Sequence, residues 1–224
     1  MKWNKKYNYP TSSRSVINGS RHYTLNNQIL VSVSSVLKMT KSESEKASLK
    51  AWQDRIGFKE SLKIKNEAAQ RGTEMHNLIE NFLLGRSNLN LFEQEKEKSH
   101  PQKMADLIIS EGLKNKLSEI NGVECVLHYP RPKGFAGTSD LIGIWDNIPS
   151  VIDFKNKNSI MKESYDSLQT YFMQLGAYSL AHNTVYGSSI TQGVILLSTT
   201  DLVFQVFRIN NEKLIEYQNK FLDK

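Results

Sequence analysis

Cysteine is all but absent from this 224-residue chain, and the single Cys125 can neither close a disulfide within it nor build a cysteine-ligated zinc or iron–sulfur site. Its plainest role is a small buried side chain on a strand. No stretch approaches the roughly 20 consecutive apolar residues of a membrane-spanning helix. The opening Met1-Lys2-Trp3-Asn4-Lys5-Lys6 leads into no apolar run, which argues against a secretory signal. Walker-type phosphate loops and helicase motifs are missing too, so no nucleotide cofactor and no nucleotide-driven motor is expected. Acidic residues are wanting in one region above all. None occurs before Glu43, whereas Lys2, Lys5, Lys6, Arg14, Arg21, Lys38 and Lys41 all precede it. The chain carries +6 overall, so this stretch accounts for more than the whole excess. Such a block attracts polyanions, nucleic acid first among them, with a solvated basic face as the plain alternative. An acid-free, Ser-containing start also fits an organelle transit peptide, so the cytoplasm is the expected compartment and mitochondria the alternative.

What is present reads as an ordinary globular chain, 39% hydrophobic and 23% charged. A single domain over 1–224 is expected, with residues 1–60 as a basic hairpin and helical part packed on its core. Arg21 to Val33 alternates enough for a hairpin turning at Asn26-Asn27, and Ser34 or Ser35 can cap a short helix through Met39. Ser42 to Ile56 has good helix formers, with Ala47, Leu49 or Lys50, and Trp52 or Gln53 spaced for one buried face. A longer helix is expected from Ser61 to Leu84. Its stripe is Met75, Leu78, Ile79, Phe82 and Leu83, and Gly85 is its stop. After a charged loop, Pro101 opens a helix expected to reach Asn121. Then the pattern changes: strands at 123–129, 137–145 and 149–155, a helix from Ser164 to His182, strands at 190–198 and 202–209, and a closing helix from Asn211. The fold class expected is α/β (mixed α+β), a central mixed sheet flanked by helices with an N-terminal hairpin and helical segment.

The chemistry-bearing residues fall in three places. In Gly137-Thr-Ser-Asp140 and Val151-Ile-Asp153-Phe-Lys155, period two puts Asp153 and Lys155 on one strand face and Ile152 and Phe154 on the other. A four-residue loop at 146–149 would pair Trp145 with Ser150 and set Asp140 opposite Lys155. A five-residue loop would turn Asp140 away unless a bulge corrected it. The shorter loop is expected. Two carboxylates and a lysine on one face are expensive to bury without a cation or mutual pairing, and Mg²⁺ or Mn²⁺ suits carboxylate oxygens. An isolated D-x-K is most often a surface ion pair, but Leu141, Ile142, Ile144, Val151, Ile152 and Phe154 argue against a solvated hairpin. Upstream, Thr73, His76 and Glu80 stand at i, i+3 and i+7 on the border of the apolar stripe, where His76 and Glu80 can face one ion. Imidazole suits Mn²⁺ better than Mg²⁺. Downstream, Gln174 and Tyr178 share a helix face at i, i+4, with Tyr171 close by.

In this order, R-G-T-x-x-H-x-x-x-E, G-T-x-D with D-F-K, and Q-x-x-x-Y resemble the RecB-type branch of the PD-(D/E)XK nucleases. The likeness spans roughly Ser20 to His182 and is to the mitochondrial genome maintenance exonuclease and its phage-encoded relatives. It implies a restriction-endonuclease-like fold and a metal-dependent exonuclease preferring single-stranded DNA ends, with replication or recombination proteins as possible partners. It implies that His76, Asp140, Asp153 and the Phe154 carbonyl bind Mg²⁺ or Mn²⁺ and that Lys155 is the catalytic lysine. By the same likeness, Gln174 and Tyr178 support the site or the DNA, and Arg71 holds a phosphate or braces its helix. Glu80 and Glu124 are acidic candidates without an assigned role. Two other readings compete: a nuclease of the same fold acting internally or on flaps or RNA, and a catalytically silent nucleic-acid-binding protein. The silent reading fits poorly with the presence of Asp140, Asp153 and Lys155.

Overall fold

The computed structural model describes residues 1–86 and 98–224. Among them are nine strands in one mixed sheet, flanked by six helices. The strands are β1 (Lys2–Trp3), β2 (Ser13–Ile17), β3 (Ser20–Leu25), β4 (Gln28–Ser32), β5 (Leu117–Tyr129), β6 (Phe135–Trp145), β7 (Ile148–Lys157), β8 (Gln192–Thr199) and β9 (Phe204–Asn210). The helices are α1 (Val33–Met39), α2 (Glu43–Ile56), α3 (Phe58–Leu83), α4 (His100–Leu107), α5 (Asp166–Tyr186) and α6 (Asn211–Leu222). Strand order runs β2-β3-β4-β6-β7-β8-β9, with β5 on the other edge of β6 and β1 parallel to β5. Apolar residues from α1, α5 and α6 cover one sheet face, and those of α3 and α4 cover the other. No helix of the described residues is long and apolar enough to cross a membrane.

The helical stripe on α3 is as expected: Met75, Ile79 and Leu83 are buried, with Leu78 and Phe82 packed beside them. The Asn26-Asn27 hairpin is present, and a second turn at Asn18-Gly19 adds β2 outside it. Several expectations are corrected. The cap of α1 is Ser32, whose Oγ accepts from the Ser35 N–H, rather than Ser34 or Ser35. A Ser42/Glu45 capping box starts α2, yet this helix buries no residue, so the apolar face expected on it does not reach the core. The helix opened by Pro101 runs through α4 and a π-helical turn (Ile108–Leu113) and ends well before Asn121, because Leu117 already belongs to β5. Most of the charged loop expected after Gly85 lies outside the described residues.

The β6–β7 connection is shorter than expected. Trp145 pairs with Ile148, not Ser150, across a two-residue turn at Asp146-Asn147 with φ of 52° and 64°. Two positive φ values are what a type I′ hairpin requires. The continued register sets Asp140 in line with Asp153 rather than Lys155. A change of two residues preserves alternation, so the shared face of Asp140, Asp153 and Lys155 survives the correction.

A polar knot ties the N-terminal segment to α5. His182 is fully buried; its Nε2 lies 3.0 Å from the Tyr9 hydroxyl and its Nδ1 2.6 Å from Ser188 Oγ, with the Tyr7 ring edge-on at 4.6 Å. Burial, with Lys6 adding to it, pushes the imidazole down from 6.5 to about 4. Between those values the unfolded chain takes up the proton and the folded chain does not. Stability is therefore full above about 6.5 and falls towards pH 4, by up to about 3 kcal/mol. Urea unfolding between pH 4 and 7 is expected to show this loss in the wild type and a flatter profile in His182→Gln, which is weaker at pH 7. A variant with the wild-type slope would show that another group is responsible.

Candidate active site

The site forms where two neighbouring strands part. β6 pairs with β7 from Trp145 back to Leu141, and β4 holds the same edge of β6 only at Phe135 and Ala136. Residues 137–140 of β6 thus have no strand partner on that edge. Side chains occupy the gap. The Phe154 N–H donates to Asp140 Oδ2 at 2.8 Å, and the Phe154 carbonyl lies 2.9 Å from His76 Nε2. His76 is carried in by α3, whose close approach to β7 depends on Gly72: a Cβ there would meet Asn156 Nδ2 at 2.5 Å. Donation from Nε2 leaves the His76 Nδ1 lone pair facing Asp140 Oδ2 at 3.5 Å. Two acceptors are held that close by a shared proton or a metal ion.

Glu124 completes this group. It sits on β5 between the pairs Val123–Leu141 and Cys125–Ser139, level with Asp140, at a φ of 48°. Its local distortion breaks the alternation: Val123 packs towards α3, whereas Cys125 packs in the core under α5. One ligand atom each from His76, Glu124 and Asp140 lies within 4.8 Å of the others. Burial, then the negative charges of Asp140 and Glu80, push Glu124 up to about 7. Much of the Glu124 side chain is exposed, so the like-charged neighbours are the firmer of these causes. Among the described residues, no Lys or Arg is within ion-pairing distance of Glu124 or Asp140. The donor set of one imidazole and two carboxylates fits a divalent cation.

Asp153 borders the group on the same face, 2% exposed and ion-paired to Lys155. Burial raises its carboxyl while Lys155 pulls it down. Burial also works against the Lys155 ammonium, but Asp153 and Asp140 outweigh it and hold the lysine above its ordinary range. Lys155 therefore stays charged in a nearly enclosed place. Its Nζ is 3.4 Å from Gln174 Oε1 and 4.8 Å from the centre of the Tyr171 ring. Gln174 Nε2 in turn donates to the Tyr178 hydroxyl at 3.3 Å.

Of the residues singled out from the sequence, all but Thr73 lie in or beside this place. Arg71 is at its margin, where Nε donates to Asn156 Oδ1 at 3.1 Å and Nη2 to Asn158 Oδ1 at 2.6 Å. Glu80 acts on Glu124 through its charge. Thr73 points elsewhere, its hydroxyl bonding back to Ala69 O. Sequence reasoning missed Arg14. This β2 residue donates from Nη2 to Thr138 Oγ1 at 2.7 Å, lies over the Tyr23 ring at 5.4 Å and lowers Glu124 by its charge. The Asn18-Gly19 pair was the available signal for its strand. Such an arrangement can hold a cation and keep a charged lysine beside it.

No protein-family model matches the chain. No curated protein matches it. Among solved structures it is similar to an exonuclease candidate from Eubacterium rectale, at 14% identity and a TM-score of 0.47 over 69% of this chain and 64% of that one. It is also similar to SSO0001, at 18% identity and a TM-score of 0.31 over 46% of this chain and 49% of that one. The chain thus spans less than two thirds of either neighbour.

Gly137 has a steric duty in the site, since a Cβ would stand 2.6 Å from Tyr178 Cε1. Gly137→Ala is expected to displace this buried ring and lose about 1–3 kcal/mol in thermal or urea unfolding. Combining it with Tyr178→Ala should lose less than the sum of the single variants. Strict additivity would mean the two positions do not meet.

Proposed function

We propose that the protein is a divalent-metal-dependent nuclease of the PD-(D/E)XK type that hydrolyses DNA from its ends, single strands preferred. The observation that carries the reading is the convergence of His76, Glu124 and Asp140 beside the Asp153–Lys155 pair at the fork between β6 and β7. The ordered motifs R-G-T-x-x-H, G-T-x-D, D-F-K and Q-x-x-x-Y support the RecB-type branch, and the acid-free N-terminal stretch supports a polyanionic substrate.

In this reading His76, Glu124 and Asp140 hold the ion, Asp153 borders it, and a single domain carries the whole site. When bound by these residues, a divalent cation would supply polarisation of the phosphodiester and a stronger water nucleophile at neutral pH. Lys155 places a fixed positive charge where the phosphorus oxygens gather negative charge. Gln174 and Tyr171 restrain that ammonium, and Asp153 keeps it protonated. Tyr178 supports Gln174, and Arg71 braces α3 against the end of β7. Arg14 adds a guanidinium on the Thr138 side, suited to a phosphate oxygen.

The decisive experiment is a time course on labelled linear single- and double-stranded DNA, with a circular single strand alongside. Linear DNA is expected to be degraded in Mg²⁺ or Mn²⁺, better in Mn²⁺ because of the imidazole, and spared in EDTA. Lys155→Ala should lose on the order of 10²–10³-fold in rate, measured on protein whose circular dichroism shows it folded, because the change leaves buried Asp153 without its partner. An intact circle supports action at ends, and a cut circle replaces it with internal cleavage. DNA bound but never cut would favour a silent binding protein.

Metal binding gives an independent measurement. A cation displaces the proton that Glu124 holds up to about pH 7. Mn²⁺ affinity is therefore expected to rise with pH up to about 7 and level off above it. Titration followed by electron paramagnetic resonance should show this in the wild type. Glu124→Gln should bind more weakly and show a shallower rise with pH, whereas an unchanged profile would remove Glu124 from the ligand set.

A further inference from the structure

Beyond Lys155, β7 runs into a concave pocket of about 380 Å³ that the chemistry above does not use. Arg71 and Lys157 line it together with Asn156, Asn158, Ser159 and Tyr165, and among the described residues no carboxylate does. Arg71 gives two N–H donors to the asparagine side chains, leaving three of its five uncommitted. Glu67, one turn earlier on α3, acts on it only through its charge. Lys157 makes no ion pair among the described residues; its ammonium lies 5.3 Å from the centre of the Tyr171 ring, the ring over which Lys155 also sits. Two residues along a strand advance about 7 Å on one face. The sheet face thus offers a second cation one step beyond Lys155.

The pocket is held in shape. Thr200 bonds the carbonyls of Lys157 and Asn158 at 2.9 Å each, and Gln205 bonds both backbone groups of Met161. The Tyr165 ring stays 42% exposed on its wall, with Ile160 beside it at 52%. A preformed concavity with two cations, amide and hydroxyl groups and an open aromatic side chain matches a phosphate joined to a flat base.

We infer that this pocket is a nucleotide subsite next to the scissile phosphodiester, with the phosphate between Arg71 and Lys157 and the base against Tyr165. The inference rests on the nuclease reading. The phosphate is either an internal diester or the terminal monoester of a DNA end, and the two are separable by experiment.

Fluorescence anisotropy with single-stranded oligonucleotides in EDTA, over a series of KCl concentrations, tests it. Arg71→Gln and Lys157→Gln are each expected to weaken binding and to reduce the slope of log K against log salt, by about 0.7 when combined, since the two cations share one phosphate. Arg71→Lys should restore most of the slope, which a merely bracing role would not require. Tyr165→Ala should weaken binding roughly tenfold with the slope unchanged. Oligonucleotides with 5′- or 3′-phosphate are compared with their hydroxyl forms. A several-fold preference for a phosphorylated end that vanishes in the Gln variants identifies the monoester, and equal binding with reduced slopes identifies the diester. Wild-type slopes in both Gln variants overturn the subsite even if metal-dependent cleavage is found. Shifted slopes without cleavage in any metal leave the phosphate site standing and remove the nuclease reading.

Discussion

Everything in the site depends on how β7 leaves β6. After Leu141 and Ile152 the ladder stops, and the backbone groups of Phe154 that would have continued it turn to side chains instead. A buried backbone group left without a partner costs about 1–3 kcal/mol, so the fork is stable only because Asp140 takes the amide and His76 meets the carbonyl. The same two side chains are thereby fixed 3.5 Å apart. Structural necessity and site geometry are one arrangement: the polar groups that satisfy the parted strand are those available to an ion. Replacing Asp140 therefore disturbs folding and chemistry together, and Lys155, whose backbone lies within the continuous β7–β8 ladder, is the cleaner probe of the chemistry.

Charge balance explains the rest of the cluster. Asp153 and Lys155 compensate each other in a nearly closed space, as a buried pair must. Glu124 and Asp140 have no such cation among the described residues. Burial and then the charges of Asp140 and Glu80 raise Glu124, and the uncompensated carboxylates make the trio receptive to a positive ion. A site divided into one compensated pair and one uncompensated pair keeps its lysine charged while leaving two carboxylates free to bind.

Much of this was legible in the sequence because parity is robust. The loop between β6 and β7 is two residues rather than four, yet Asp140, Asp153 and Lys155 still share a face, since only an odd change would separate them. The α3 stripe was legible for the equivalent reason at period 3.6. Where alternation fails, the reading failed. Glu124 sits at a positive φ that sends Val123 and Cys125 to opposite faces, so no periodic pattern could place it. The helix expected to run to Asn121 stops short because β5 begins at Leu117, and irregularities at Leu117/Glu119 and Ile120/Gly122 interrupt the period-two alternation that would have marked its start as strand. On α2 a capping box and good helix formers suffice to make a helix, and burial is a separate matter that its sequence does not decide.

Arg14 shows how the basic N-terminal stretch can act on the site without belonging to the central sheet order in any deep way. The β2–β3–β4 unit joins β6 through only two residue pairs, Val31–Phe135 and Ser32–Ala136. Just past that junction β6 loses its strand partner on this edge, and Thr138, in that stretch, accepts a hydrogen bond from Arg14 and shares another with the Tyr23 hydroxyl. Tyr23 is buried and Arg14 lies over its ring, so the guanidinium is positioned from beneath as well as from the side. A strand pair that is short enough to end early therefore creates the opening on one side and supplies the cation that fills it on the other. β2 is exposed along its whole length, and nothing in its own burial would retain an arginine at that position. The contact with Thr138 gives the residue a reason to be there that the strand itself does not.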